Sequence, residues 1–163
     1  MSERTAICPG SYDPVTNGHL DIIGRAARIF DKVIVGVVNQ PLRKQKTLFT
    51  AEERAGFIER ATTDMPNVEA MVFSTLLVDF AREHGATTIV KGLRAISDFE
   101  YEFEMNQLNR KLAPEIESAY VMASSEYSFL SSTGVKELAT FGGDVGDLVP
   151  AEVAVALSER VAR

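Results

Sequence analysis

Short apolar runs rich in Val and Ile alternate with longer stretches of helical character along almost the whole chain. These runs predict five strands, near residues 4–9, 32–39, 68–73, 87–91 and 117–123. Runs of this kind are typical of parallel strands that are buried on both faces of a sheet. Strands that alternate with helices form such sheets through right-handed crossovers. The sequence therefore predicts an α/β fold with a doubly wound, parallel, five-stranded sheet.

The segments between the strands predict helices. The first helix is expected at about 18–30, and the second, at about 50–63, begins with the capping box Thr50-x-x-Glu53. Further helices are expected near 76–84, near 98–112, from about 131 to the residues before Gly142, and at 151–161. Because no linker, repeat or low-complexity stretch interrupts this pattern, residues 1–163 are predicted to form a single domain.

Composition excludes several classes of protein. The net charge of −6 argues against a general nucleic-acid binder, and no apolar stretch approaches the length of a membrane-spanning helix. The N-terminus has no apolar signal region, and we expect no membrane contact. A single cysteine, Cys8, rules out an internal disulfide framework, and its apolar setting predicts a core residue rather than a nucleophile.

A polar turn at residues 10–19, GSYDPVTNGH, joins the first strand to the first helix. Within it, Thr16-x-Gly18-His19 has the form of the T/H-x-G-H signature of nucleotide-binding proteins. A histidine at a helix N-terminus, beside backbone N–H groups, stabilises an anion that gains charge. We therefore predict a catalytic role for His19 in preference to a solvent-facing helix start. Asp13, which precedes a proline, is predicted to form a turn rather than to act as an acid.

Other readings of this turn are weaker. Ser11 offers a hydroxyl and a backbone N–H to a phosphate, and together with His19 it invites comparison with a hydrolase triad. The G-x-S-x-G sequence that such enzymes carry is absent, so the hydrolase reading is disfavoured. The chain also lacks a Walker A loop and G-x-G-x-x-G, which disfavours a P-loop kinase and a dinucleotide dehydrogenase.

Three further polar segments follow predicted strands. Two are basic: the 40–49 loop contains Arg43, Lys44 and Lys46, and residues 91–94 read KGLR. The third, 127–133, reads YSFLSST and opens a helix, where one serine would suffice as an N-cap. In an open parallel sheet, ligands bind beyond the carboxyl ends of the strands. We therefore expect residues 10–19, 91–94 and 127–133 to converge there on a phosphate-bearing ligand, with the 40–49 loop beside them.

Glu102 falls near the apolar face of its predicted helix, by its spacing from Phe99 and Met105. A carboxylate in that position needs a partner or a polar ligand. The sequence leaves open a structural ion pair, for example with Arg94, and a contact with substrate.

Taken together, these segments resemble the bacterial phosphopantetheine adenylyltransferases, a family of T/H-x-G-H nucleotidyltransferases. The similarity covers nearly the whole chain and includes the stretches at 9–19, 91–95, 98–102, 127–133 and 135–137. The resemblance implies a Rossmann-like nucleotidyltransferase fold. It also implies direct in-line transfer of AMP from ATP to 4′-phosphopantetheine, which gives dephospho-coenzyme A and pyrophosphate in coenzyme A biosynthesis.

The resemblance further implies Mg²⁺ as cofactor, a cytoplasmic setting, a homohexamer and feedback inhibition by coenzyme A. By motif match, His19 would stabilise the transition state, Ser11 would touch both substrates, and Tyr12 would line the ATP site through its backbone. The remaining residues implied to bind ATP are Gly92, Leu93, Arg94, Glu102, Tyr127, Ser128, Phe129, Leu130, Ser131, Ser132 and Thr133. Lys91, Leu77 and a lysine of the 40–49 loop would bind the acceptor.

This chain departs from the family pattern in a few places. Ser11 stands where many members have Thr, Lys91 where they have Arg, and Thr133 where they have a third Ser. The 41–49 stretch is two residues longer than the common form, so the acceptor-binding lysine is either Lys44 or Lys46. We favour Lys44, because it lies nearer the end of the second strand.

Two other functions remain as alternatives. One is a related enzyme that transfers AMP or CMP to another acceptor, such as nicotinate mononucleotide or glycerol phosphate. The other is a non-catalytic nucleotide-binding module. The 91–94 turn and the 98–102 segment favour the phosphopantetheine enzyme over the first, and the presence of His19 argues against the second.

Overall fold

A single parallel sheet forms the centre of the molecule. In the computed structural model, which describes residues 2–41 and 46–162, the strands are β1 (Thr5–Gly10), β2 (Lys32–Val38), β3 (Val68–Phe73), β4 (Thr88–Leu93) and β5 (Glu117–Met122). Their order in the sheet is β3-β2-β1-β4-β5, and all neighbours are parallel. The predicted five-stranded, doubly wound parallel sheet is therefore confirmed. The strand order reverses between β1 and β4, where an open α/β sheet forms its ligand crevice.

Six helices and one short turn connect and follow the strands. The helices are α1 (Asn17–Ile29), α2 (Ala51–Ala61), α3 (Leu77–Glu83), α4 (Ile96–Leu112), α5 (Ser132–Thr140) and α6 (Ala151–Val161). A 3₁₀ turn at Ser125–Tyr127 was not predicted. The Thr50 and Glu53 side chains each bind the other's backbone N–H, so the predicted capping box begins α2. Within the described ranges, no helix is both long and apolar enough to cross a membrane.

The core lies on both faces of the sheet, because successive strand residues point to opposite sides. One cluster includes Cys8 and Val35, which are paired in register, together with Leu157 of α6. The other includes Ile7 and Ile34, also paired in register. Cys8 is buried as predicted, and burial raises the pKa of its thiol to about 12. It is therefore an apolar packing group at neutral pH rather than a thiolate nucleophile.

Candidate active site

The polar segments that follow β1, β4 and β5 meet at the carboxyl edge of the sheet. Arg94, which directly follows β4, donates from Nη1 to the Leu130 carbonyl at 2.7 Å. The Ser132 hydroxyl, at the start of α5, donates to the Pro14 carbonyl at 2.8 Å. The structure thus brings together the three segments that the sequence predicted to converge, at the point where the strand order reverses.

His19 is held in a defined orientation at the start of α1. Its Nδ1 accepts the backbone N–H of Thr16 at 2.9 Å, and the Thr16 hydroxyl accepts the backbone N–H of His19 at 3.3 Å. The Tyr12 ring packs edge-on against the imidazole, with 4.9 Å between ring centroids. Because Nδ1 accepts a hydrogen bond, the neutral ring carries its hydrogen on Nε2. The capping interaction therefore selects the tautomer that donates from Nε2.

Tyr12 supports this turn from within the core. Its backbone adopts φ +48°, in the left-handed region that non-glycine residues rarely occupy, and its side chain is buried. The hydroxyl donates to the Cys8 carbonyl at 2.9 Å. A Cβ on Gly10 would lie 3.0 Å from the tyrosine ring, so glycine allows this close approach without a shift of the ring. The side chain thus anchors the turn, and only the backbone of Tyr12 is left to face a ligand.

Asp13 joins the turn to two other elements. Its fully buried carboxylate accepts the backbone N–H groups of Leu48 at 2.9 Å and Phe49 at 3.0 Å, and it pairs with Lys136 Nζ of α5 at 2.9 Å. Burial by itself raises the pKa of Asp13, but these donors outweigh it and hold the pKa below its usual value. Asp13 is therefore an ionised structural group, as expected of a turn residue.

The basic residues that end β4 are paired with acidic residues of α4. Lys91 Nζ lies 2.6 Å from Glu102 Oε2, and Arg94 Nε lies 3.0 Å from Asp98 Oδ2. The ion pair between Glu102 and Arg94 that the sequence analysis gave as an example is therefore wrong. The physical reason is that the Arg94 guanidinium pairs with Asp98, four residues later in the chain. Lys91, on the strand, is the residue that reaches Glu102.

Gly92, between the two basic residues, lies where α1 packs against β4. A Cβ at this position would lie 2.9 Å from Cγ1 of Ile22 in α1. A larger residue at this position would therefore require the Ile22 side chain, or the helix that carries it and His19, to shift.

The hydroxyl residues of 127–133 have different surroundings. Ser131 is the N-cap of α5, and its Oγ accepts the backbone N–H of Gly134 at 3.0 Å. Ser132 is buried against the 11–16 turn, whereas Thr133 is exposed in the first turn of α5. Ser128 donates to the Ser125 carbonyl within the 3₁₀ turn. The N-capping explanation thus accounts for Ser131, and the first turn of α5 faces the same edge as His19.

The structure describes some of the residues predicted to bind the acceptor. Arg43 and Lys44 lie outside the described residues. Lys46 is exposed and lies two positions before Leu48, whose N–H is bound to Asp13. Leu77 is the first residue of α3 and is partly buried against the core cluster that contains Ile7. It follows the carboxyl end of β3, at the same edge of the sheet.

Sequence reasoning missed Arg54, the largest fully buried side chain in the described part of the chain. Its guanidinium donates to backbone carbonyls at the ends of β1 and β2 and at the start of α2. A signal was present: Arg54 lies four residues before Ile58, on the buried face of α2. A charged residue on an apolar helix face indicates a specific partner.

Comparisons with known proteins find one family model and several close relatives in sequence. The cytidylyltransferase-like family model matches residues 7–138. The chain is 59% identical over 145 residues to the phosphopantetheine adenylyltransferase of Rubrobacter xylanophilus, which covers 89% of this chain and 87% of that protein. It is 54% identical over 148 residues to that of Clostridium tetani, with 91% of each chain covered. It is 51% identical over 157 residues to that of Alkaliphilus metalliredigens, with 96% of this chain and 99% of that protein covered.

Proposed function

Because the chain belongs to the phosphopantetheine adenylyltransferases, a family with the cytidylyltransferase-like fold, we propose that it transfers AMP from ATP to 4′-phosphopantetheine. The products are dephospho-coenzyme A and pyrophosphate, in the biosynthesis of coenzyme A. The observation that carries this proposal is the orientation of His19 at the N-terminus of α1, with Nδ1 bound to the Thr16 N–H.

The reaction is a direct in-line displacement without a covalent enzyme intermediate. A phosphate oxygen of the acceptor forms a bond to the α-phosphorus of ATP, while the bond from that phosphorus to the bridging oxygen of pyrophosphate breaks. Negative charge gathers on the α-phosphate as the two phosphates approach. The Nε2–H of His19 donates to this group, and the N-terminus of α1 adds its positive dipole end. The protein thus acts by positioning and by neutralising charge.

The two substrates occupy different parts of the carboxyl edge in this proposal. ATP binds between residues 92–94, Glu102 and the 127–133 segment, where Arg94 already connects the end of β4 to Leu130. The acceptor binds beside Ser11, Leu77 and the loop that follows β2, with Lys91 reaching it from β4. Ser11 lies at the junction and contacts both substrates.

Magnesium enters this proposal together with ATP. Among the residues that the structure describes, no three His, Cys, Asp or Glu side chains are placed to hold a metal ion. Mg²⁺ in nucleotide enzymes commonly keeps several waters and binds largely through the substrate's phosphates. The described residues fit an ion that arrives as the Mg²⁺ complex of ATP, where it would neutralise phosphate charge.

We also propose a homohexamer, a cytoplasmic location and inhibition by coenzyme A. Coenzyme A contains both a pantetheine arm and an adenine nucleotide, so it has groups for both halves of the site. Phe99 and Phe103 of α4 are more than half exposed, which supports burial against another copy of the chain. Sedimentation velocity tests the hexamer, and turnover in the presence of coenzyme A tests the inhibition.

A direct assay tests the proposed reaction. The protein is incubated with ATP, Mg²⁺ and 4′-phosphopantetheine, and we expect pyrophosphate and dephospho-coenzyme A in equal amounts. Nicotinate mononucleotide and glycerol 3-phosphate, each with ATP and with CTP, serve as alternative acceptors. Turnover with one of these and none with phosphopantetheine would overturn the proposal, and nucleotide binding without turnover would support a non-catalytic module.

A further inference from the structure

Arg54 is a charged side chain with no exposed surface, and the proposed reaction gives it no role. Burying a guanidinium is costly unless its donors are satisfied. Within residues 2–41 and 46–162 they are satisfied by main-chain carbonyls. Burial lowers the pKa of Arg54, and the nearby charges of Asp13 and Glu52 act in the opposite direction. The group remains a cation at neutral pH.

The carbonyls that accept from Arg54 belong to three separate segments. Nη1 donates to Ser11 at 2.6 Å and to Val38 at 2.8 Å, and Nη2 donates to Asn39 at 2.9 Å. Nε donates to Phe49 at 3.1 Å and to Thr50 at 3.2 Å. One planar group therefore connects the residue after β1, the end of β2 and the start of α2.

These contacts close the loop between residues 39 and 49 at both of its ends. Asn39 and Phe49 accept from the same guanidinium, so the two ends keep their separation whatever length of chain lies between them. This loop carries Lys44 and Lys46, the two candidates for the acceptor phosphate. The same guanidinium also holds Ser11. By contrast, the hydrogen bonds of Arg54 in the described part of the chain include none to the 91–94 turn or the 127–133 segment.

We propose that Arg54 is a positioning residue for the acceptor half of the active site. It fixes the Ser11 carbonyl relative to Asn39 and Phe49, the two described ends of the loop that contains the candidate lysines, and so aligns the acceptor phosphate with the α-phosphate of ATP. Arginine suits this role because its donors have a fixed planar geometry, whereas lysine is a point charge on a flexible stem. The proposal rests on the function proposed above, because it presumes an acceptor at this edge.

The test is Arg54→Lys, which keeps the charge and most of the volume but not the planar set of donors. We expect kcat/KM for phosphopantetheine to fall by at least about 10-fold, since a misplacement of about 1 Å costs on the order of 10²-fold. The Kd for ATP, measured by calorimetry, should stay within about 2-fold of the wild-type value, because Ser11 is the one described residue assigned to ATP to which Arg54 donates, and the 91–94 turn and the 127–133 segment receive none of its hydrogen bonds. If Arg54 had only a structural role, the substitution would lower kcat/KM for phosphopantetheine and the affinity for ATP together.

Two controls separate positioning from loss of stability. Val153→Ala removes buried volume from α6, and it serves as the matched variant for a given loss of thermal stability. Arg54→Ala is assayed with and without millimolar guanidinium, which we expect to restore part of the phosphopantetheine turnover by occupying the vacated site. The proposal is overturned if Arg54→Lys behaves like wild type, if it loses ATP affinity equally, or if Val153→Ala reproduces its kinetics.

The wild-type assay keeps the two proposals distinguishable. If the wild-type protein does not make dephospho-coenzyme A, the proposed function fails. If it does and Arg54→Lys retains full kcat/KM for phosphopantetheine, only the role of Arg54 fails.

Discussion

At the scale of single residues, His19 combines an observed structural role with a proposed chemical one. Its Nδ1 completes the capping interaction of α1, and its Nε2–H is the donor proposed for the α-phosphate. We expect His19→Ala to lower kcat by at least about 10²-fold, the scale for losing one oxyanion donor. Loss of the capping contact should cost on the order of 1 kcal/mol of stability and leave the protein folded.

Steady-state kinetics and thermal unfolding of His19→Ala provide the check. Thr16→Ala is the matched control, because it removes the hydroxyl cap but keeps the backbone N–H that binds Nδ1. Its loss of kcat should be much smaller. Near-normal turnover in a folded His19→Ala protein would contradict the catalytic assignment.

Asp13 makes stability depend on pH in a definite direction. Because its pKa is lower in the folded protein than in the unfolded chain, its stabilising effect is complete above the unfolded-state value near 4. That contribution is lost as the pH falls through the lower folded-state pKa. At pH 7, Asp13→Asn should destabilise the protein by about 1.5–3 kcal/mol, the range for hydrogen bonds to charged groups.

Urea unfolding of wild type and Asp13→Asn at several pH values provides the measurement. The difference between them should shrink below about pH 4, since protonated aspartic acid then resembles asparagine. Asp31→Asn, at an exposed pair with Arg4, is the control and should change stability little. A difference that stays constant down to pH 2 would show that the charge of Asp13 does not contribute.

At the scale of elements, Arg94 connects the start of α4 to the segment before α5. It pairs with Asp98 and donates to the Leu130 carbonyl. We expect Arg94→Ala to weaken ATP binding by roughly 1.5–3 kcal/mol, the range for a charge-assisted hydrogen bond, and to affect phosphopantetheine less. Calorimetry with each substrate measures this. Arg110→Ala, near the other end of α4, is the control. Unchanged ATP affinity in Arg94→Ala would contradict the assignment of Arg94 to the ATP site.

In the lengthened loop before α2, the lysine nearer a fixed end of the loop is the better candidate to bind the acceptor phosphate. The sequence favoured Lys44 on the ground that a strand end is the better-fixed base. The structure adds that the other end of the loop is fixed as well, because Asp13 binds the N–H groups of Leu48 and Phe49. Lys46 lies only two residues before Leu48. This gives a reason to expect Lys46→Ala to lose more kcat/KM for phosphopantetheine, by about 10-fold or more for a lost charge-assisted hydrogen bond.

Separate kinetics of Lys44→Ala and Lys46→Ala decide between the two lysines. A larger loss in Lys44→Ala would restore the original preference. Arg43→Ala, in the same loop, is the control for general loss of positive charge.

At the scale of the whole molecule, both core clusters are built on the same strands. Ile7 and Cys8 are neighbours on β1 and belong to opposite faces of the sheet. We therefore expect one cooperative unfolding transition for the predicted single domain. ATP that binds only the folded state should raise the midpoint temperature of unfolding. At a free ATP concentration of about 100 Kd, the free energy of unfolding should rise by about 2.7 kcal/mol. Calorimetry that resolves two transitions would contradict a single domain.

The sequence by itself determined the elements of the fold, because the signals for them are local. All five strands lie within two residues of their predicted bounds, and the helices follow the predicted order. Apolar runs, helical spacing and capping boxes each involve residues within about one element of each other. The signature from Thr16 to His19 and the other family segments are local as well, so the comparisons agree with what the sequence predicted.

Only the tertiary structure decided which charged groups meet. Lys136 pairs with Asp13 across 123 positions of the chain, and Arg54 reaches the Ser11 carbonyl across 43. Glu102 pairs with Lys91 on the strand and not with Arg94 in the following turn. Such pairs depend on how each helix packs against the sheet, and no periodicity in a single sequence encodes the distance between two side chains so far apart. Packing therefore decided how the site is supported, although the local sequence had already indicated where it lies.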